Sequence, residues 1–374
     1  MPNIGVISTF PPTQCGIATY SHDLIESLKS ISPFLQFIKI ELSTCSQPPT
    51  NKNYIIKSNE TLQYQETSEY INTANIDIVD IQHEFKIFGK PDGENILVLL
   101  NNIQKPIITT LHTVSPNLNE KREKTFVEII KRSDKLYVFS KEAKKHITGK
   151  YKKNESSIEI LPHGVPEIKF QRPYQIQLRK KFTSNIIFVS AGHMRNTKGY
   201  DLAIKALHSL KKIIPDFRYF ILGSNHPENE SAQSYRETLL ELIAKLDLSN
   251  QVTFISDYLE ERDIIKYIQL ADICLLPYTR EDQSSSGILA LMLACGRPVV
   301  STPFQFATSF LNDLNGTISN SFSYIDFKEA IIKLLNRNHL WNSISRHNYV
   351  LSQSWNWKKV AYRYSSGYYR IIQK

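Results

Sequence analysis

The sequence predicts an α/β protein made of two doubly wound, Rossmann-like domains, and three observations predict it. Its 374 residues are about the length of two domains. Short apolar runs alternate with amphipathic stretches of helical spacing along nearly the whole chain, which is typical of parallel βαβ units. The alternation stops over residues 167–184, a polar and basic stretch without clean periodicity, and then restarts. We therefore interpret this stretch as a linker between two domains.

The first domain is predicted to span residues 1–166. Five short apolar runs are interpreted as buried strands, at 3–9, 76–81, 106–111, 135–140 and 158–161. Between them, apolar residues that recur every three or four positions predict helices at 17–30, 95–103, 122–132 and 141–151. Apolar strands that alternate with helices indicate a parallel sheet covered on both faces.

The second domain is predicted to span residues 185–352 and repeats the same pattern. Its strands are predicted at 185–191, 218–222, 252–254, 273–276 and 298–301. Its helices are predicted at 201–212, 234–246, 261–270 and 286–295. Because ligands of open α/β sheets bind beyond the carboxyl ends of the strands, the loops that follow the strands are the candidate sites.

Two loops of the second domain favour phosphate. In the segment SAGHMRNTKG, Arg195 and Lys198 are spaced to converge on one phosphate, and glycines free the backbone around them. In QSSSG, hydroxyl groups and a glycine precede a predicted helix, whose N-terminus favours anions; its residues are Gln283, Ser285, Ser286 and Gly287. A plain serine N-cap is the alternative interpretation. Two such loops in one domain indicate a nucleoside diphosphate.

Three loops of the first domain could also carry chemistry. Gly16 ends the loop FPPTQCG and begins a predicted helix, so a phosphate or sugar could approach the backbone there. His83 and Glu84 follow one predicted strand and His112 follows the next. These side chains are candidates for proton handling or for contacts with sugar hydroxyl groups. Structural histidines are the alternative.

Charge and cysteine content narrow the classes of protein. Between residues 119 and 153 there are twelve Lys or Arg against five Asp or Glu, which could meet an anionic membrane or form a solvated helix face. There is no nucleic-acid-binding signature. The cysteines have no metal-type spacing, and no signal peptide or membrane span is predicted; they are Cys15, Cys45, Cys274 and Cys295. These features predict a cytoplasmic protein.

Eight segments, taken in order, resemble a known family. They are FPPTQCGIATYSHDL, IQHEFKIFG, TTLHTV, LPHGVP, SAGHMRNTKGYDLAIKAL, ILGSNHP, ADICLLPY and SSGILALMLACGRPVVSTP. This chain resembles family 4 glycosyltransferases of the GT-B fold, most closely a bacterial subgroup with CGIAT, QHE-F-IFG and SSG motifs. The resemblance implies two Rossmann-like domains that face a central cleft, with the acceptor on the first and the donor on the second. It also implies that a C-terminal helix, at 353–374, returns to the first domain.

The resemblance implies roles for particular residues. Gly16 matches the glycine that lies against the donor, and His112 matches a histidine near the transferred sugar. Lys198 matches the lysine that binds the diphosphate. Arg195 matches the subgroup alone, because the position of the wider family's arginine is occupied by His193.

Two positions depart from the family pattern. The wider family has a pair of glutamates where this chain has Gln283 and Leu291. A glutamine can hydrogen-bond to the donor sugar, whereas a leucine cannot hold the ribose diol. The alternative to an enzyme is therefore a GT-B protein that binds a sugar or nucleotide without turnover.

The function that the resemblance implies is transfer of a hexose, with retention, from a GDP- or UDP-hexose to a glycan or lipid-linked acceptor. No metal or other cofactor is expected, because cationic side chains would neutralise the departing diphosphate. Residues 119–153 are the expected face for peripheral membrane contact. An NAD-dependent oxidoreductase is disfavoured because no GxGxxG motif follows a strand.

Overall fold

The computed structural model describes residues 1–43, 54–89, 92–223, 230–255 and 259–373. The chain divides into two compact units. Unit 1 comprises Met1–Gly164 and Trp355–Lys374, and unit 2 comprises Val165–Ser354. Cys45 lies outside the described residues.

Unit 1 is built on a seven-stranded parallel sheet with helices between its strands. The sequence order reverses between β1 and β4, since the sheet order is β3-β2-β1-β4-β5-β6-β7. The strands are β1 (Asn3–Ser8), β2 (Gln36–Ser43), β3 (Tyr54–Lys57), β4 (Ile78–His83), β5 (Ile107–Leu111), β6 (Lys135–Val138) and β7 (Ile158–Ile160). The helices are α1 (Gly16–Ile31), α2 (Thr61–Thr73), α3 (Ile96–Asn102), α4 (Glu120–Arg132) and α5 (Lys141–Tyr151).

Unit 2 is built on a six-stranded parallel sheet of order β10-β9-β8-β11-β12-β13, which reverses between β8 and β11. Its strands are β8 (Ile186–Ala191), β9 (Phe217–Leu222), β10 (Val252–Ile255), β11 (Ile273–Leu276), β12 (Val299–Ser301) and β13 (Gly316–Ile318). Its helices are α6 (Tyr200–Leu210), α7 (Glu230–Lys245), α8 (Glu261–Leu270), α9 (Gly287–Ala294), α10 (Gln305–Phe310), α11 (Tyr324–Leu335) and α12 (Trp341–Ser352).

The two sheets confirm the predicted α/β fold with two Rossmann-like domains. Each unit has its own core of buried aliphatic and aromatic side chains around its sheet. Ligands of such folds bind at the carboxyl ends of the strands where the strand order reverses. In unit 1 these strands are β1 and β4, and in unit 2 they are β8 and β11.

The segment 167–184, which the sequence suggests as a linker, packs against unit 2. The Arg179 guanidinium donates to the Asp272 carboxylate at 2.7 Å and to the Leu270 carbonyl at 3.0 Å. The segment lacks sequence periodicity because it forms two short 3-10 turns, Pro173–Gln175 and Gln177–Lys181.

The C-terminal helix α13 (Trp357–Ile372) belongs to unit 1. Its Tyr364 hydroxyl lies 3.1 Å from the hydroxyl of Tyr20 on α1 and 2.6 Å from the hydroxyl of Thr110 on β5. Gly367 lets the helix approach β6 closely, because a Cβ at this position would lie 2.0 Å from the Tyr137 hydroxyl. The helix therefore helps to build the interior of unit 1.

Candidate active site

In unit 2, the loops that follow β8 and β11 touch each other at Gly199. The backbone of Gly199 has φ +63°, and a Cβ there would lie 1.9 Å from the carbonyl oxygen of Pro277. The amide of Thr279 donates to the carbonyl of Thr197 at 3.1 Å, which joins the loops a second time. Glycine is therefore required by the fold at this position.

Lys198, directly before this contact, lies over an aromatic ring. Its ammonium is 3.7 Å from the centre of the Tyr278 ring, a favourable cation–π distance. Tyr278 is buried and also packs on Phe304 at 4.9 Å. The lysine cation is thereby held at the point where the strand order of unit 2 reverses. Arg195 lies on the same loop with an exposed side chain.

The loop at 283–287 leads into the N-terminus of α9. Ser286 is the N-cap, since its hydroxyl accepts a 3.2 Å hydrogen bond from the Leu289 amide. Gln283 donates its side-chain amide to the carbonyl of Ser285 at 3.1 Å. The helix N-terminus, whose first residue is Gly287, adds a partial positive charge to this edge of the sheet. The plain N-cap and an anion site are compatible at this position.

Leu291 points into the interior of unit 2. Its side chain is 5% exposed, within an α9 that is buried from Leu289 to Ala294. An apolar side chain in this place offers no oxygen to a ribose diol. Gln283 is half-buried on the loop instead.

In unit 1, the loop after β1 ends at an open helix start. Cys15 is the N-cap of α1, and its sulfur accepts a 3.4 Å hydrogen bond from the Ala18 amide. Gly16 is exposed, and a Cβ at this position would meet no atom within 4 Å. Unlike Gly199, Gly16 is not required by its own surroundings.

His83 lies below the surface at the end of β4. It is fully buried, with its ring 4.8 Å from that of Phe85 and 5.6 Å from that of Phe88. Neither ring nitrogen has a hydrogen-bond partner among the described residues. Burial lowers the pKa of His83 to about 3, so the ring is neutral. The structure thus places this side chain in the core of unit 1.

Glu84, the next residue, reaches the carboxyl edge of the sheet. Its Oε2 accepts a 2.6 Å hydrogen bond from the hydroxyl of Thr113, which follows His112 after β5. The carboxylate therefore links the loops after two neighbouring strands and is half-buried there.

His112 is 4% exposed and lies among aromatic rings. Its ring packs edge-on against Tyr20 at 4.8 Å and tilted against Phe139 at 5.2 Å. Burial, with smaller contributions from His163 and His83, lowers its pKa well below the usual value. His163, which packs against the same Tyr20 ring, has a pKa lowered by burial to about 4. The histidines around this site are therefore neutral at physiological pH.

Sequence reasoning missed several residues that shape these sites. Tyr278 lies two residues beyond the predicted strand 273–276, a position that could have suggested a role at the strand end. Asp80, Gln82 and Tyr368 form a buried polar group beneath His112, and nothing in their spacing along the chain brings Tyr368 to the other two.

Most cations of the basic segment 119–153 have a polar partner. Seven of the twelve lie within 4.0 Å of a carboxylate, and Arg132 and Lys153 donate to backbone carbonyls. Lys153, for example, donates to the carbonyls of Ile130 and Ser133 at 2.7 and 2.6 Å. The remaining three are Lys141, Lys145 and Lys152.

Within the described residues, no three His, Cys, Asp or Glu side chains are grouped so that they could hold a metal ion. Nor does any helix of these residues have the length and apolar character needed to cross a bilayer.

Solved structures with the same architecture define the class of fold. Sucrose-phosphate synthase from Thermosynechococcus elongatus aligns over 100% of both chains with a TM-score of 0.82 at 15% identity. Anabaena HepE, solved in complex with UDP-glucose, aligns over 99% of this chain and 100% of its own with a TM-score of 0.77 at 14% identity. The chain has the GT-B fold.

At the level of sequence, the matches to a known family lie in the second unit. Residues 172–350 match the family model of glycosyl transferases group 1. An uncharacterized glycosyltransferase of Haemophilus influenzae is 25% identical over 178 residues, which are 47% of this chain and 47% of that protein. The chain spans about half the length of the curated relatives it matches.

Proposed function

We propose that this chain is a glycosyltransferase that moves a hexose from a nucleoside diphosphate sugar to an acceptor hydroxyl group, with retention. The observation that carries the proposal is the site at the strand-order reversal of unit 2. There, the Lys198 cation and the N-terminus of α9 occupy the loops after β8 and β11, within the match to glycosyl transferases group 1. We take the donor to be a UDP-hexose, which is supported by the UDP-glucose bound to Anabaena HepE.

In this proposal, the cationic groups stabilise the leaving diphosphate. Lys198 and Arg195 neutralise the charge of the diphosphate, and the backbone amides at the start of α9 donate hydrogen bonds to its oxygens. Transfer with retention at the donor face demands leaving-group stabilisation more than a strong base. The neutral His112 and the Glu84 carboxylate then contact hydroxyl groups of the sugar and acceptor. Because these groups suffice for charge stabilisation, we expect transfer to persist in EDTA.

Binding of UDP, GDP and ADP to the whole chain, measured by calorimetry, tests the donor assignment. Lys198→Met should weaken UDP binding about 10- to 100-fold, because a charge-assisted hydrogen bond contributes about 1.5–3 kcal/mol. Lys205→Met, on α6 of the same unit and paired with Asp201 at 3.1 Å, is the matched control and should bind UDP normally. Equal binding by the Lys198 variant and the wild type would contradict the assignment.

A non-catalytic binding protein is the second candidate, and Leu291 favours it. A buried leucine stands where the family resemblance implies a ribose-binding glutamate, and its apolar side chain would lower donor affinity. Release of glucose from UDP-glucose distinguishes the two candidates. Nucleotide binding without any release or transfer of glucose would support the non-catalytic protein.

A further inference from the structure

The positive charge of the chain is concentrated in its last part. Residues 330–374 contain eight Lys or Arg and no Asp or Glu, whereas the net charge of the whole chain is +9. The helix α13 carries four of these cations, which are Lys358, Lys359, Arg363 and Arg370. Because α13 contains no carboxylate of its own, its charge favours an anionic partner.

The cations of α13 share its outer face with two tyrosines. The inner face packs on the sheet and on α1, and its buried members are Trp357, Val360, Ala361, Tyr364, Ser365, Gly367 and Tyr368. Residues four and seven positions apart lie on one side of a helix. Lys358 therefore forms a column with Tyr362 and Tyr369, and Lys359 forms a second column with Arg363 and Arg370. Tyr362 is 71% exposed, so the outer face is both cationic and aromatic.

Three of these four cations are unpaired. Among the described residues, no carboxylate oxygen lies within 4.0 Å of the exposed Lys358, Lys359 or Arg370. Arg363 is the exception, because its Nε donates to Oε1 of Glu159 on β7 at 2.8 Å. Glu159 also pairs with a second cation, on β6, so this acid does not offset the charge of the outer face.

An exposed phenylalanine extends the outer face beyond the helix. The Ser32 hydroxyl lies 2.9 Å from the Ser365 hydroxyl, and Ser365 stands three residues after Tyr362 and four before Tyr369. Phe34, two residues after Ser32, is 66% exposed. The loop after α1 therefore brings a third aromatic residue to the side of α13 on which the two tyrosines lie.

We propose that the outer face of α13, together with Phe34, docks on an anionic membrane surface. Lys and Arg gain free energy from the negative potential of anionic lipids, and amphipathic aromatic rings are favoured at the level of the headgroups. The cations extend from Lys358 to Arg370, about 18 Å along the convex side of the helix. A plane of headgroups contacts such a surface along its length, whereas peptides are bound in grooves or at sheet edges.

The edge strand β7 lies between α13 and the basic segment 119–153. Glu159 of β7 binds α13 through Arg363. The neighbouring Ile158 points to the opposite face of the sheet, where it belongs to the same core as Ala143 and Ile147 of α5. A bilayer that meets the β7 edge of unit 1 is thus within reach of cations from both helices, and their contributions should add.

Co-sedimentation of the whole chain with vesicles tests the role of charge. The wild type should bind vesicles of phosphatidylglycerol and phosphatidylcholine, and added salt should weaken this binding. Changing Lys358, Lys359 and Arg370 together to Gln should weaken it about 100-fold, since each cation contributes about a factor of five. Equal binding of the wild type to phosphatidylcholine alone, or binding by the α13 variant as tight as that of the wild type, would overturn the proposal.

A variant of unit 2 is the matched control for charge. Changing the exposed Lys180, Lys181 and Lys212 to Gln alters the net charge by the same amount and should leave vesicle binding unchanged. Thermal melting should show that both variants keep the stability of the wild type, because all six side chains are exposed. Equal weakening in the two variants would show that net charge, and not the outer face of α13, determines binding.

Fluorescence quenching tests whether the outer face touches lipid. Tyr362→Trp places a fluorescent ring on this face, and the wild type supplies the background of its three native tryptophans. Lipids brominated on their acyl chains should quench the added emission in anionic vesicles. Tyr174→Trp, at a 63% exposed position of unit 2, is the control that should not be quenched. Equal quenching in both variants, or in neither, would overturn the proposal.

Soluble polyglutamate distinguishes a membrane from an acidic protein partner. If α13 serves a membrane, polyglutamate should bind more weakly than anionic vesicles, and Tyr362→Ser should weaken vesicle binding without changing polyglutamate binding. Tight binding of polyglutamate by a wild type that ignores vesicles would assign the outer face to an acidic protein and overturn the proposal. None of these measurements depends on glycosyl transfer.

Discussion

The ammonium of Lys198 lies 3.7 Å from the centre of the Tyr278 ring, which comes from the loop after the neighbouring strand. The ring therefore acts as a platform that limits where the cation can go. The Tyr278 hydroxyl itself is buried and has no hydrogen-bond partner within the described residues. We therefore expect the ring of Tyr278, and not its hydroxyl, to contribute to nucleotide binding.

Substitutions of Tyr278 should separate these two parts. Tyr278→Leu removes the cation–π contact and should weaken UDP binding about 2- to 5-fold, since such a contact contributes about 0.5–1 kcal/mol. Tyr278→Phe keeps the ring and should bind UDP normally while gaining stability, because a buried hydroxyl without a partner is unfavourable. Calorimetry and thermal melting measure both effects. Equal UDP affinity for the leucine variant and the wild type would remove the platform role.

Substitution by alanine should affect protein stability differently at the glycines of the two candidate loops, Gly199 and Gly16. Gly199→Ala should destabilise the protein by about 1–3 kcal/mol, because the new Cβ meets the Pro277 carbonyl at a positive φ. Gly16→Ala should leave stability unchanged or slightly higher, since its Cβ would meet no atom, yet should weaken UDP-glucose binding if the donor lies against this backbone. Gly149→Ala, at another open helical position, is the control that should not alter binding.

Much of the sheet architecture could be predicted because its central strands are continuous apolar runs. β4 and β8 are buried along nearly their whole length, and they were recognised within about two residues. β2 was missed because its first half is only partly buried and it contains Lys39 and Glu41. β13 was missed because its sequence, GTI, contains one large apolar residue and so does not form an apolar run.

The loops with candidate site residues could be predicted from their position after strands, but the depth of each side chain could not. His83 is buried because the chain turns back after β4 and places Phe85 and Phe88 against its ring, an arrangement set by tertiary packing. Likewise, the charge of 119–153 is neutralised partly by acidic residues outside that segment, such as Asp92 and Glu155.

Because most cations of the basic segment 119–153 are paired, a test of membrane binding should target the few that are not. Of its cations, the exposed Lys141, Lys145 and Lys152 are those best placed to meet anionic lipid. Because each gains about 1 kcal/mol near an anionic surface, changing all three to Gln should weaken binding to anionic vesicles about 100-fold, and salt should have the same effect. An equal charge change in unit 2, at the exposed Lys180, Lys181 and Lys212, is the control. Equal sedimentation with anionic and neutral vesicles would leave a solvated helix face.

His83→Phe should stabilise unit 1. The substitution removes two buried ring nitrogens without partners and keeps an aromatic ring between Phe85 and Phe88, so the free energy of unfolding at pH 7 should rise by about 1 kcal/mol. Urea unfolding followed by tryptophan fluorescence measures this gain. In a Trp341→Phe background, the two remaining tryptophans, of three in the chain, both lie in the C-terminal segment of unit 1. A gain in stability with unchanged turnover would assign His83 to the core, and a gain with lost turnover would assign it a role in transfer.

The same background should reveal how pH acts on unit 1. Burial lowers the folded-state pKa of His83 to about 3 and that of His163 to about 4, and that of His112 well below 6.5. Below pH 6.5 the unfolded chain therefore binds protons that the folded chain does not, and stability falls as pH falls. From pH 7 to pH 5, His83 and His163 should each account for a loss of about 2 kcal/mol, and His112 should act in the same direction. Asp80 acts in the opposite direction, because its folded-state pKa is raised to about 6; it takes up a proton on folding and returns about 1 kcal/mol. Unit 1 should thus be less stable at pH 5 than at pH 7, and the loss of stability should be about 2 kcal/mol smaller in His83→Phe. An equally steep pH dependence in the variant would show that His83 is not held neutral by burial.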